Sequence, residues 1–414
     1  MAGPLSSNPL GIIRWVSRMY VLKFIRGQGG DTGNGDAVAV EFRLLCSGEL
    51  YNSAVLTTDW RKSIATRLLV TKPFELIVSS HPFDEYPQEL AMRFAVSIVT
   101  ETKASGVAMF YPDEEIARDL AAMLTLLLRR LITVCAKVRE VRPREYPEEP
   151  SFPRDYPLGF VGSSTPVSWE MKPSVVVYGR DGIQEITHYN PPPLGVDPAQ
   201  LTKRLETWAS ASWSEALLRS ARLYSVALQE IERNPGMSYQ LLVSCVEAIA
   251  GEVLRDYAPT RSNMLEAKKS VLELALTMGL NQESAEALAL EATSGMSWAR
   301  RKFSRFLLDN AGDEIWMEDD LFHPPDTLLP NRDDFEGVLK SIYSARGGAT
   351  HSGRPFPDSA GIGTGPTVRS SVMIDIDFSS PSLPIPPVVW FERVVNSALN
   401  HFIDSATVSG NALL

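Results

Sequence analysis

The sequence predicts an α+β N-terminal domain, a mostly antiparallel sheet with one long helix, followed by an all-α helical bundle. Three observations carry that reading. Up to residue 113, short runs of β-branched and aromatic residues alternate with turn residues. From Pro198 onward, apolar residues recur at three- and four-residue intervals. Between them, Pro191, Pro192, Pro193 and Pro198 interrupt both patterns. A chain of 414 residues also exceeds one typical core. The expected units are therefore residues 1–195 and residues 196–414.

Residues 19–25 and 38–45 read as strands joined by the glycine-rich loop 27–35. That loop lacks the Lys-Ser/Thr pair of a phosphate-binding P-loop, so a long hairpin connection is expected. Residues 75–79, 92–99 and 106–111 continue the strand pattern. Pro112 and the acidic trio Asp113, Glu114 and Glu115 open a helix expected to reach about Arg142, its middle apolar on most sides. Such a helix must be covered on several faces, first of all by the sheet. Residues 143–166 read as an extended segment, 167–171 and 174–178 as strands, Arg180-Asp181-Gly182 as a turn, and 183–189 as a last strand.

In the second half, Leu217, Leu223, Val226, Ala227 and Ile231 form one apolar helix face ending near Asn234-Pro235-Gly236. Leu241, Leu242, Cys245, Val246, Ile249 and Val253 form the next, with Glu247 inside that apolar run, where pairing with an Arg such as Arg346 is expected ahead of simple exposure or of orienting a catalytic group. Residues 263–278 and 282–293 read as shorter helices. Residues 309–334 form an acidic loop containing His323. Residues 352–367, rich in Gly and Pro, read as a covering loop, 372–378 as a short strand, and 387–403 as a closing helix that carries His401.

Composition narrows the function classes. Net charge is −10, with 21 Lys+Arg against 23 Asp+Glu in residues 1–199 and 19 against 27 in the remainder. An acidic helical half lacks the broad basic footprint of a general nucleic-acid binder, so any RNA contact must be local. Three widely spaced cysteines, Cys46, Cys135 and Cys245, read as buried free thiols in a reducing compartment. No Cys/His set has zinc spacing, and no apolar run reaches bilayer length. Residues 1–30 lack a signal-peptide layout. A cytoplasmic protein without metal, cofactor or membrane contact is the expectation.

The chemistry-bearing stretch runs from Asp333 to Gly353. Asp333 and Asp334 can cap a helix, and Phe335, Val338, Leu339 and Ile342 give it an apolar face. Arg346 then precedes Gly347-Gly348, which reads as a helix stop, and His351 follows five residues after Arg346. A permanent cation and an imidazole around a diglycine break could serve metal-free RNA cleavage. The His moves a proton near neutral pH and the Arg holds phosphate oxygens. Five residues apart on an unbroken helix, the two would diverge, so convergence depends on the break. The spacing alone favours a capped helix with a surface His, because R-x-x-x-x-H is a weak pattern.

The segment 342–353, Ile-Tyr-Ser-Ala-Arg-Gly-Gly-Ala-Thr-His-Ser-Gly, resembles the R-x-x-x-x-H segment of HEPN domains, in particular the ApeA-like branch. Residues 227–250 resemble the first two helices of that domain, including a Glu in the second, here Glu247. The resemblance covers the C-terminal half. It implies a HEPN-like bundle, a homodimer or higher homo-oligomer through the helical domain, and metal-independent attack by a ribose 2′-hydroxyl on RNA, tRNA among the candidates. Arg346 and His351 would be catalytic, with Glu247, Tyr343 and Arg354 as supporting residues. Arg300, Arg301, Lys302 and Arg305 form the one compact basic cluster, either an RNA contact or a solvated helix face. ApeA-like members are associated with bacterial anti-phage, abortive-infection defence, which would make residues 1–195 a sensor or specificity domain. The alternative is a non-catalytic HEPN-like module binding RNA or protein. Gly347 directly after the Arg, Thr350 before the His, and the acidic surface favour that alternative.

Overall fold

The computed structural model describes residues 37–54, 68–70, 74–78, 88–97, 99–103, 106–110, 113–141, 174–178, 184–188, 194–231, 234–294, 296–316, 330, 332–353, 356 and 385–411. The strands expected at 19–25, 167–171 and 372–378 lie outside them. So do the glycine loop 27–35, the 180–182 turn, His323, Arg354 and most of the 352–367 loop.

The N-terminal half is built on a five-stranded antiparallel sheet, ordered β3-β4-β5-β1-β8. Its strands are β1 (Ala37–Cys46), β3 (Leu68–Val70), β4 (Glu75–Val78), β5 (Gln88–Ser97) and β8 (Ile132–Val141), with a short β2 (Leu50–Asn52) beside it. Strand alternation sets the two faces. Val40, Phe42, Leu44 and Cys46 of β1 and Leu90, Met92 and Phe94 of β5 enter the core. The opposite face carries Glu41, Arg43, Glu89 and Arg93. Arg93 Nε lies 3.0 Å from Glu41 directly across the ladder, and Arg43 pairs with Glu89. Glu41, Arg43 and Arg93 are all buried. Cross-strand charge pairing is what makes burial of such groups tolerable. Two more hairpins, β6–β7 (Val99–Lys103, Gly106–Phe110) and β9–β10 (Ser174–Tyr178, Gln184–His188), pair antiparallel.

Helix α1 spans Asp113–Leu128 and stops well short of the expected Arg142. Arg129 adopts a left-handed conformation (φ 50) that reverses the chain into β8. The branched residues Ile132, Thr133, Val134, Val138 and Val141 suit the pleated ladder against β1 better than a helix. Left-handed geometry is costly for a side-chain-bearing residue. Bidentate bonds from the Arg129 guanidinium to Glu392, at 3.1–3.2 Å from Nε and 2.7 Å from Nη2, offset it. The α1 surface is apolar nearly all round because it is covered on both sides: by the sheet, and by helices of the second half.

Of the expected boundary, residues 194–198 are stitched into structure. β11 (Leu194–Val196) pairs parallel with β2, and a side chain at Gly195 would come within 2.9 Å of the Tyr51 hydroxyl. Asp197 then caps α2 (Pro198–Ser210), accepting from Ala199 N at 2.9 Å, with Pro198 at the first helical position.

α3 (Ser214–Glu230) and α4 (Pro235–Val253) form a tight hairpin. Asn234 caps α4 by accepting from Met237 N, and Ser220 and Ser238 hydroxyls donate to Cys245 and Ala227 carbonyls across the pair. The expected 263–278 helix is two, α5 (Arg261–Ala267) and α6 (Lys269–Thr277), kinked at Lys268. With α7 (Gln282–Glu291) they form a shallow excursion that buries little beyond Ala275, Ala285 and Ala289. α8 (Ala299–Asn310), α9 (Phe335–Ser352) and α10 (Val388–Asn411) complete the bundle. Tyr239 stacks on Phe391 and Phe356, both at 5.1 Å. One apolar cluster runs from the sheet through α1 into these helices without interruption at residue 195. No helix among the described residues is long and apolar enough to cross a membrane. All three cysteines are free; Cys46 and Cys245 are buried, while Cys135 is only partly so, a correction to the expectation.

Candidate functional site

α9 departs from the sequence reading at both ends. A 3-10 turn (Arg332–Asp334) precedes it, and Asp334 stands at the cap position without a side-chain bond to the helix. Phe335, Val338, Leu339 and Ile342 form its buried face as expected. The diglycine, however, is not a stop. The helix continues through Gly347 and Gly348 to Ser352, and Gly353, at φ 64, supplies the left-handed cap with its N–H on the Gly348 carbonyl. Two glycines cost an exposed helix about 1 kcal/mol each. That does not outweigh continued hydrogen bonding when a better cap lies five residues on. A side chain added at either glycine would meet none of the described residues within 4 Å.

Arg346 and His351 consequently share one straight helix. They are separated by about 140° around the axis and about 7.5 Å along it. Within a single chain they do not face one point.

Arg346 is instead gathered with Tyr343 onto Glu247 of α4. Arg346 Nη2 donates to Glu247 Oε2 at 2.8 Å, and Tyr343 Oη donates to Glu247 Oε1 at 2.6 Å. The guanidinium carbon also lies 6.0 Å from the Tyr343 ring centroid. The ion pair is about one-fifth exposed on each side, at 22% and 21%. Burial, then the Glu247 hydrogen bond and charge, push the Tyr343 hydroxyl above the usual tyrosine range, opposed by the charges of Arg346 and Arg300. Phe303 of α8 packs against Tyr343 at 5.3 Å. His351, in the last turn, is exposed and makes no hydrogen bond or ion pair with the described residues. Thus Arg346, Glu247 and Tyr343 are brought together, and His351 stands apart.

The basic cluster is mostly committed. Arg301 bonds Glu266 at 2.7 Å, Lys302 reaches the Arg255 carbonyl at 3.4 Å, and Arg305 pairs with Asp309 at 2.7 Å. Chiefly through the Arg301 hydrogen bond, with its own desolvation opposing, Glu266 is held below the usual carboxylate range. Only Arg300 of the four is exposed without a hydrogen bond or ion pair to the described residues.

Two polar groupings escaped the sequence reading. Glu392 of α10 is buried and accepts from Arg129 and from the Tyr224 hydroxyl, while Asn396 bonds both Tyr224 and the Leu126 carbonyl. Its sequence signal is the i,i+4 pair Glu392 and Asn396 set among the apolar residues Trp390, Phe391, Val394 and Val395. Elsewhere, His401 Nε2 lies 3.3 Å from Glu314, and the Ser397 hydroxyl donates to that same carboxylate. Ser, His and Glu thus meet, but the hydroxyl bonds the carboxylate and not the imidazole, which is not the order that activates a serine. Among the described residues no group of three or more His, Cys, Asp or Glu could hold a metal ion.

Comparison with family models, curated proteins and solved structures returns no match.

Proposed function

We propose that the chain is a HEPN-like, metal-independent endoribonuclease whose cleavage site is completed between two copies. The observation that carries this reading is the accessible C-terminal end of α9. There a guanidinium is held in place by Glu247 and Tyr343, and one and a half turns later an imidazole stands uncommitted among the described residues. An Arg has five N–H donors, and the bond to Glu247 uses one, so the others remain for phosphate oxygens. Because the two side chains diverge on one helix, a two-fold partner must bring its own α9 end alongside. His351 of one copy and Arg346 of the other would then meet over one phosphodiester. His351 takes the 2′-hydroxyl proton as the 2′-oxygen bonds phosphorus, Arg346 stabilises the negative charge on the phosphoryl oxygens, and the bond from phosphorus to the 5′-oxygen breaks; that oxygen takes up a proton and leaves as a 5′-hydroxyl, and the other product ends in a 2′,3′-cyclic phosphate. An anti-phage effector role, with residues 1–195 as sensor, extends the same proposal.

A second reading has a specific observation in its favour. The ion pair of Arg346 with Glu247, together with the unbroken helix, is the arrangement expected of a non-catalytic module that binds RNA or protein. Expression of the parent and of an Arg346→Ala/His351→Ala double variant in a bacterial host separates the two. Growth arrest with new RNA ends from the parent alone supports the nuclease. Normal growth and intact RNA with both supports the binding module.

A further inference from the structure

Arg300, the second residue of α8, stands one turn ahead of Phe303, the residue that packs on the Tyr343 ring at 5.3 Å. Positions three apart share a helix face. Arg300 therefore stands where the buried face of α8 emerges beside Tyr343. It is exposed and makes no hydrogen bond or ion pair with the described residues, whereas Arg301, Lys302 and Arg305 each have a protein partner. The charges of Arg346 and Arg300 both act on the Tyr343 hydroxyl, and that of Arg300 also acts on Glu266. Two guanidiniums from different helices thus serve one corner of the bundle, with Glu247 bonded to Arg346 and Tyr343 and Glu266 bonded to Arg301. In a helical half carrying 19 Lys+Arg against 27 Asp+Glu, the single positive charge of Arg300 in excess of the Arg346–Glu247 and Arg301–Glu266 pairs marks where an anionic chain can lie.

We propose that Arg300 is a second phosphate-binding residue of this site, gripping a phosphodiester of the RNA strand adjacent to the one held at Arg346. The inference rests on the ribonuclease reading above. Its effect is on substrate binding: the strand is fixed across α8 and α9, and the backbone bond presented to His351 is selected by its distance from the gripped phosphate.

The test is fluorescence anisotropy of a labelled single-stranded RNA oligonucleotide, 2′-O-methylated throughout so that it cannot be cleaved, titrated with the full chain at several salt concentrations. Each phosphate contact to a single strand contributes about 0.7 to the slope of log affinity against log salt. Arg300→Gln is expected to reduce the slope by about that amount and to weaken binding several-fold at low salt, with Arg300→Lys retaining most of both. Arg305→Gln, which removes the same charge from a residue already paired with Asp309, is expected to leave the slope unchanged. If the parent binds and Arg300→Gln keeps its slope, or if Arg305→Gln loses as much, the Arg300 assignment alone is overturned. If the parent shows no salt-dependent binding, both this assignment and the reading beneath it are overturned.

Discussion

Glu247 holds Arg346 at 2.8 Å across two helices, and the same carboxylate accepts the Tyr343 hydroxyl at 2.6 Å. The pair fixes a guanidinium that would otherwise sample many rotamers, at a point where α4 and α9 meet. Partial exposure limits its energy. Glu247→Gln and Arg346→Gln should each destabilise the chain by about 1 kcal/mol, and the double variant by about the same amount, in urea melts read as a double-mutant cycle. Strict additivity would mean that the two side chains do not interact.

The Arg129–Glu392–Tyr224 grouping ties α1 to α3 and α10. Glu392 is buried, so removing it leaves the buried Tyr224 hydroxyl and the one-third-exposed Arg129 guanidinium without their carboxylate. Glu392→Ala should cost about 2 kcal/mol, and Tyr224→Phe about 1–2 kcal/mol. Because the apolar cluster passes unbroken from sheet to bundle, both losses should shift the unfolding of strand and helix signals together. Separate transitions for the two would contradict that packing.

Gly347 and Gly348 lie inside a helix, and a Cβ at either would meet none of the described residues. Alanine at each should stabilise by about 0.5–1 kcal/mol. The Gly347→Ala/Gly348→Ala variant should therefore melt higher and keep whatever RNA cleavage the parent shows. A loss of activity with raised stability would show that the diglycine has to bend during catalysis.

Tyr224 and Tyr239 are pushed well above the ordinary tyrosine range by burial, Tyr224 further by the Glu392 charge, and Tyr343 is raised by burial and Glu247. These phenols stay neutral in the folded chain while those of the unfolded chain ionise near about 10. Their contribution is complete below that value and is lost as pH climbs beyond it. Absorbance at the phenolate band should show these three titrating only with unfolding. Free titration near about 10 would rule out their burial.

The sequence made the strands at 38–45, 75–79 and 92–99 and the apolar faces of α3, α4 and α9 legible, because alternation and helical spacing report directly which side is buried. It misplaced the end of α1. An apolar run with a tertiary partner on every side has no period, and the reversal at Arg129 depends on Glu392, 263 residues away. It misread Gly347-Gly348 because local propensity favoured a stop, while the cap at Gly353 and the packing of Ile342 favoured continuation. In the candidate site, the residue types were legible and their directions were not. Divergence of Arg346 and His351 follows from that unbroken helix, whereas the pairing of Arg346 with Glu247 is the one contact legible beforehand, because a carboxylate set inside an apolar helix needs a cationic partner.

The central claim is that His351 moves the proton and Arg346 holds the phosphate in RNA cleavage that needs no metal. Cleavage of single-stranded RNA in EDTA by the parent and by His351→Ala, with product ends mapped, addresses it most directly. The account predicts 2′,3′-cyclic phosphate ends from the parent and a loss of about a hundredfold or more in His351→Ala. Equal cleavage by both proteins, or none by the parent at any concentration that supports dimerisation, would contradict it.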